Sequence, residues 1–355
     1  MKKLAETTKK FPQTEIWNDS CSCKELQYCI DNGGVGATTN PVIVLNVLKD
    51  EISDWKSTIE AVIKSMPDST EDDIAWEIIK KMGSKAGALL LPIFYDTKGK
   101  KGRMSLQTNA KYYRCKELLV DHGIDLAATM KNSQIKVPAS AAGIEAIEEL
   151  TYLGICINAT ISFTVAQALK VAEAVERGID RRLKEGKSVE EMNPVCTLMA
   201  GRLDDHLKNY VTKNNITFDF DVLEWAGVAV VKHAYDIYMK RGYKTKLLVA
   251  AFRNAYQWYE MIGADIVLTI PYKWQVQFNE SEYIVEKTID NKVNADYLSK
   301  LQSLSEFNKA YDEDGLTINE FEHYGAFKAT INGFLQGYDE LITIIRAFIL
   351  DSNNG

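Results

Sequence analysis

Short apolar segments recur eight times along this 355-residue chain, with helical patterning between one and the next. No other feature constrains the fold as much. The first segment, residues 15–19, closes on the carboxylate of Asp19, and the second, 35–40, closes on Asn40 before Pro41. Between them residues 22–32 read as a helix, with Asn32-Gly33-Gly34 as its stop. Residues 89–95 and 104–107 compete for the third strand across the turn 97–102, and 104–107 is favoured. Segments 135–138, 155–159, 193–198, 245–252 and 265–270 complete the set. Residues 164–177 carry Val165, Ala168, Leu169, Ala172 and Val175 as a helical stripe, and 219–241 reads as one long helical region. Strands alternating with helices predict a parallel sheet with helical crossovers. Eight such units predict an α/β chain built as a single (β/α)8 barrel of the TIM type. An open doubly wound sheet usually carries a glycine-rich phosphate turn, and the sequence has none. Residues 1–280 are expected to form the barrel and 281–355 a C-terminal helical extension packed on it. Phe321, Tyr324, Phe327, Phe334, Tyr338 and Leu341 in that extension would close over the barrel or form an interface, the first being favoured.

A net charge of −7 argues against a general nucleic-acid surface, so an anionic ligand needs a local cationic pocket. No apolar run approaches the roughly 20 residues that span a bilayer. The polar start, Met1-Lys2-Lys3-Leu4-Ala5-Glu6, lacks a signal-peptide core, so the expected location is the cytoplasm. The six cysteines, Cys21, Cys23, Cys29, Cys115, Cys156 and Cys196, have no second Cys or His pair at ligand spacing, so reduced thiols and no metal are expected. Residues 312–315 faintly resemble a calcium loop, but the register puts Ala310 and Phe321 where ligands are required.

Lys136 stands in Ile135-Lys136-Val137-Pro138, an apolar strand interior. Desolvation there lowers an ammonium pKa, and a neutral lysine can attack a carbonyl to form a Schiff base. The alternative is a strand-end lysine that snorkels to water. Polar residues terminate seven of the eight strands: Asp19, Asn40, Gln107, Lys136, Asn158 with Thr160, Thr197 with Arg202, and Arg253-Asn254. Singly, each reads as a turn residue or cap, and Asn40 and Thr160 suit caps well. Together they form a ring of hydrogen-bonding groups where barrel enzymes carry their chemistry. His206 follows Arg202, and a lone histidine on a helix is more often structural.

Several stretches, in order, resemble the transaldolase family: Ala37-Thr38-Thr39-Asn40-Pro41, Ile135-Lys136-Val137-Pro138, Ile157-Asn158-Ala159-Thr160-Ile161-Ser162-Phe163, Met199-Ala200-Gly201-Arg202, Ala251-Phe252-Arg253-Asn254 and 263–270. The resemblance implies a cofactor-free Schiff-base enzyme that moves a dihydroxyacetone unit between sugar phosphates. Lys136 would be the nucleophile, Asp19 the base, and Thr160 the holder of a catalytic water. Asn40, Asn158 and Thr197 would contact the substrate, and Arg202 and Arg253 would grip its phosphate. The expected partner is thus a small anionic sugar, and a homo-oligomer is compatible with the sequence. Four positions depart from the common pattern: Gln107 replaces a glutamate, Met199 an aromatic residue, and Ala251 and Thr197 serines. Gln107 leans toward the related fructose-6-phosphate aldolases, which are lyases, while Met199 lacks their tyrosine. A sulfonated or otherwise altered sugar is a further alternative.

Overall fold

A computed structural model describes residues 1–352 of the chain. Eight parallel strands close into a barrel in sequence order, β1 (Thr14–Asn18), β2 (Gly34–Thr38), β3 (Arg103–Gln107), β4 (Ser133–Pro138), β5 (Ile157–Ser162), β6 (Val195–Leu198), β7 (Lys246–Val249) and β8 (Ile266–Ile270). β1 pairs with β8 from Thr14↔Ile266 to Asn18↔Ile270, which completes the (β/α)8 fold. Helix α1 (Lys3–Lys10) precedes the barrel and α2 (Cys23–Asp31) joins the first two strands.

Three helices separate β2 from β3: α3 (Pro41–Asp50), α4 (Ile52–Ser65) and α5 (Glu71–Asp96). α3 starts where the chemistry requires, with Pro41 at its first position and Asn40 Oδ1 accepting from Ile43 N at 3.0 Å. Residues 89–95 fall inside α5, so 103–107 is the third strand. Met82, Ala86, Leu90 and Phe94 explain this, because they bury one face at a spacing of four, a helical period that no strand could use. The capping box of Thr70 and Asp73 starts this helix, and Pro92 is accommodated near its end.

The chain continues through α6 (Lys116–Ala127), α7 (Ala141–Leu153), α8 (Val165–Lys184) and α9 (Ala200–Lys213). The single helix expected over 219–241 is in fact two, α10 (Phe220–Leu223) and α11 (Ala226–Arg241). The break has a cause remote in sequence: the buried Asp204 carboxylate on α9 accepts Gly227 N at 2.8 Å and so caps a new helix start. β5 runs to Ser162, three residues past its expected end, and β7 stops at Val249, short of the expected 252. β7 stops just before the positive-φ residue Ala251, at 62°, whereas β5 continues through Ile161, at 54°, with a register shift against β6 between Ala159 and Ser162.

After α12 (Tyr256–Tyr259) and α13 (Tyr272–Glu280) come α14 (Ala295–Gln302), α15 (Ser305–Tyr311) and the long α16 (Gly325–Ser352). α16 starts against α9, where a Cβ on Gly325 would lie 2.2 Å from His206 Cε1. It passes Arg202 and ends on α5, through Tyr338 Oη donating to Asp72 at 2.6 Å and Arg346 donating to Glu71. It therefore roofs the carboxyl-end mouth of the barrel. Phe321, Phe327, Phe334 and Leu341 are fully buried by this packing. Among the described residues no helix is long and apolar enough to cross a membrane.

The middle of the barrel is filled by Trp17, Val195, Leu248, Ala250 and Val267, with Val35 against them. Trp17 fits because Gly36 has no side chain; a Cβ there would lie 2.5 Å from the indole. Below this plug, Lys246 pairs with Glu15 at 3.1 Å and with Asp265 at 2.8 Å.

Candidate active site

Above the plug the inward positions turn polar. Parallel register sets Gln107 beside Lys136, Lys136 beside Asn158 and Pro138 beside Thr160. Lys136 is 3% exposed, and its Nζ donates to the Thr39 carbonyl at 3.0 Å. Its amine is depressed to about 8, chiefly by burial; Arg202 pushes the same way and Asp19 opposes. Asp19, just past β1, responds in the opposite sense: burial raises its carboxyl, while Lys136, the Thr38 hydroxyl and Arg202 partly offset this. Thr38 Oγ1 donates to Asp19 Oδ1 at 2.7 Å and lies 2.7 Å from Thr269 Oγ1 of β8. An amine that loses its proton easily thus lies near a carboxylate that gains one easily.

A buried polar chain supports this pair from below. Thr197 Oγ1 donates to Asn158 Oδ1 at 2.7 Å, Asn158 Nδ2 to Ser105 Oγ at 3.1 Å, and Ser105 Oγ to Gln134 Oε1 at 3.0 Å. Asn158 is therefore held in one amide orientation. Two oxygens above it have no protein partner although buried, Gln107 Oε1 and Thr160 Oγ1. Both belong to side chains on strands adjoining Lys136, so both are free of protein hydrogen bonds at this end of the barrel. Asn40 caps α3 with its oxygen, as the structural reading of its sequence context anticipates, and no hydrogen bond occupies its Nδ2 among the described residues.

The two arginines differ. Arg202, in the first turn of α9, is largely enclosed, with Nη1 donating to Thr330 Oγ1 at 3.3 Å. Burial and then Arg253 weaken its hold on its proton, against Asp19 and Asp205, although a guanidinium stays charged regardless. Arg253 stands at the rim, where Nε and Nη2 both meet Asp205 Oδ2, at 2.9 and 2.8 Å. Its backbone N–H is held by Gln257 Oε1 at 2.6 Å, and Gln257 Nε2 donates to the buried Asp204 at 2.7 Å. Gly201 lets this loop pass close by, since a Cβ there would meet the Ala251 oxygen at 2.0 Å.

The structure brings Asp19, Gln107, Lys136, Asn158, Thr160, Thr197 and Arg202 to one end of the barrel, with Asn40 and Arg253 at the edge. Reading only strand ends missed Thr38, Ser105, Gln134 and Thr269. A period of two along each strand, as in Ser105 with Gln107 and Gln134 with Lys136, is the signal that finds them. Thr330 and Asp205 had no such signal.

A buried lysine ringed by polar side chains at the carboxyl end of a (β/α)8 barrel stands where enzymes of this fold carry their chemistry. The model of the Transaldolase/Fructose-6-phosphate aldolase family matches residues 16–328, and the chain belongs to that family. It is 26% identical over 326 residues to a transaldolase of Prochlorococcus marinus, covering 90% of this chain and 89% of that one. A transaldolase of Neisseria meningitidis serogroup C is 30% identical over 212 residues, 56% of this chain and 60% of its own length. One of Mycobacterium bovis is 26% identical over 240 residues, 63% and 61% respectively. The chain thus spans less than two thirds of the last two relatives.

Proposed function

We propose that the protein transfers a dihydroxyacetone unit from a ketose phosphate to an aldose phosphate through a Schiff base on Lys136. The observation that carries this reading is the buried Lys136 amine, depressed to about 8, opposite a carboxylate whose own proton affinity is raised. The neutral amine attacks the donor ketone, and water leaves as the iminium forms. Asp19 takes the C4 hydroxyl proton, the C3–C4 bond breaks, and its electrons pass to the iminium to give an enamine. The aldehyde departs, and an acceptor aldehyde reverses the sequence. Thr160 and Gln107 hold the water that moves protons during imine formation and hydrolysis, which accounts for their unsatisfied oxygens. Asn40, Asn158 and Thr197 orient the sugar hydroxyls, and Arg202 with Arg253 binds the anionic end. A cytoplasmic setting, where sugar phosphates are held, suits this chemistry.

Borohydride trapping with fructose 6-phosphate, read by intact mass and peptide mapping, tests the reading. The expected product is a reduced three-carbon adduct on Lys136. A six-carbon adduct means that the natural donor is a different ketose, and no adduct with any ketose phosphate or sulfonate removes the proposal. The second reading is a lyase that releases free dihydroxyacetone, and Gln107 favours it, because an amide can orient water but cannot exchange a proton with it near neutral pH. Release of dihydroxyacetone at the same rate with and without acceptor aldehyde would establish the lyase.

A further inference from the structure

α16 places in the site a hydroxyl that no strand end supplies. Thr330 is 128 residues from Arg202 in sequence, yet its Oγ1 accepts from Arg202 Nη1 at 3.3 Å. The same guanidinium lies 5.4 Å from the ring centroid of Phe334, one turn further along the helix. Thr330 is 1% exposed and Phe334 is fully buried. Threonine in a helix commonly returns its hydroxyl to the preceding turn, as Thr343 of α16 does to the Asp339 carbonyl at 2.9 Å. Thr330 makes no such bond among the described residues; its hydrogen-bond partner there is Arg202. Accepting from Arg202 leaves the Thr330 proton available to donate.

A guanidinium with a hydroxyl donor beside it suits a tetrahedral oxyanion, which offers several acceptor oxygens. The opposite side of the anion region is poorer in donors: Ala251 carries no hydroxyl, and Arg253 is engaged by Asp205. We propose that Thr330 is a specificity residue of the anion subsite. Its hydroxyl, with Arg202, hydrogen-bonds the phosphate or sulfonate at the far end of the donor sugar, so the roof helix selects charged over uncharged ketoses. The identity of the sugar rests on the Lys136 reading; the anion contact does not.

Two measurements on the full chain test this with Thr330→Val, which keeps the shape and removes the hydroxyl, and Thr330→Ser, which keeps the hydroxyl. Calorimetric titration with inorganic phosphate and with methanesulfonate reads the subsite without turnover and tells the two oxyanions apart. Thr330→Val should weaken the oxyanion that the wild type binds about tenfold, the loss expected for one hydrogen bond to a charged group. The ratio of kcat/KM for fructose 6-phosphate to that for fructose should fall by a similar factor, mostly through KM, because the contact serves ground and transition states alike. Thr330→Ser should recover both values to within about twofold. Unchanged oxyanion affinity in Thr330→Val, an unchanged ratio, or no oxyanion binding by the wild type would overturn the proposal. Weakened oxyanion binding with no Lys136 adduct would sink the Schiff-base reading alone. An adduct with unaltered oxyanion binding would sink the subsite alone.

Discussion

Each end of the barrel interior holds a lysine, Lys136 buried and Lys246 partly exposed, and the two amines have been driven in opposite directions. At the amino end, burial pulls Lys246 down, but Glu15 and Asp265 more than offset it and the amine ends above its ordinary value. At the carboxyl end, Lys136 has one carbonyl and a single, itself desolvated, carboxylate nearby, and burial wins. What separates the two sites is depth of burial together with the acceptors in reach: partly exposed Lys246 meets two carboxylates, while buried Lys136 has one carbonyl and one desolvated carboxylate nearby.

The largest effect should come from breaking the upper site. Lys136→Met is expected to abolish the borohydride adduct and reduce turnover by at least about a thousandfold. The same change should stabilise the fold at pH 7 by about 3 kcal/mol, read by urea unfolding, because the native state penalises the charged amine. The sign follows from the depressed native pKa: the penalty is complete below about 8 and vanishes as pH rises toward the unfolded value of about 10.4. Lys246→Met should do the reverse and lower stability, since it takes the nearest cation from Glu15, only 2% exposed, and leaves it Lys101 at 4.0 Å. Equal signs for the two variants would break the comparison.

Next in size is the pH dependence of kcat/KM. Only the neutral Lys136 amine attacks, so activity should rise by about tenfold per pH unit up to about 8 and then flatten. A flat profile between pH 6.5 and 8 would mean that attack by this amine does not limit the reaction. The smallest effect is expected at the rim, where Asp205→Asn releases Arg253 from an exposed ion pair and should lower KM for an anionic donor by about two- to threefold. Added salt should erase that gain.

The barrel and most of the candidate site were legible in the sequence, because both follow from short-range pattern. Eight apolar segments, seven of them with polar ends, specify the strand count and put Asp19, Gln107, Lys136, Asn158 and Thr160 at one end. Residues 89–95 were ambiguous in isolation; the buried spacing from Met82 to Phe94 resolves them as helix. The interruption at residues 224–225 was illegible, since Gly227 falls past it and the Asp204 carboxylate that caps the new start lies on another helix. The Arg202–Thr330 contact was illegible for the same reason: no periodicity links positions so far apart, and only the path of α16 joins them.

Trp17 gives the molecule a further property. With Gly36 making room for it, the indole and its aliphatic neighbours form an insulating septum across the bore. The charged groups at the two ends are thereby separated by an apolar layer, with Glu15, Lys246 and Asp265 on one side and Asp19 and Lys136 on the other. Evolution, or a protein engineer, can therefore rewrite the lower chamber for thermal endurance and leave the polar groups around Lys136 as they stand.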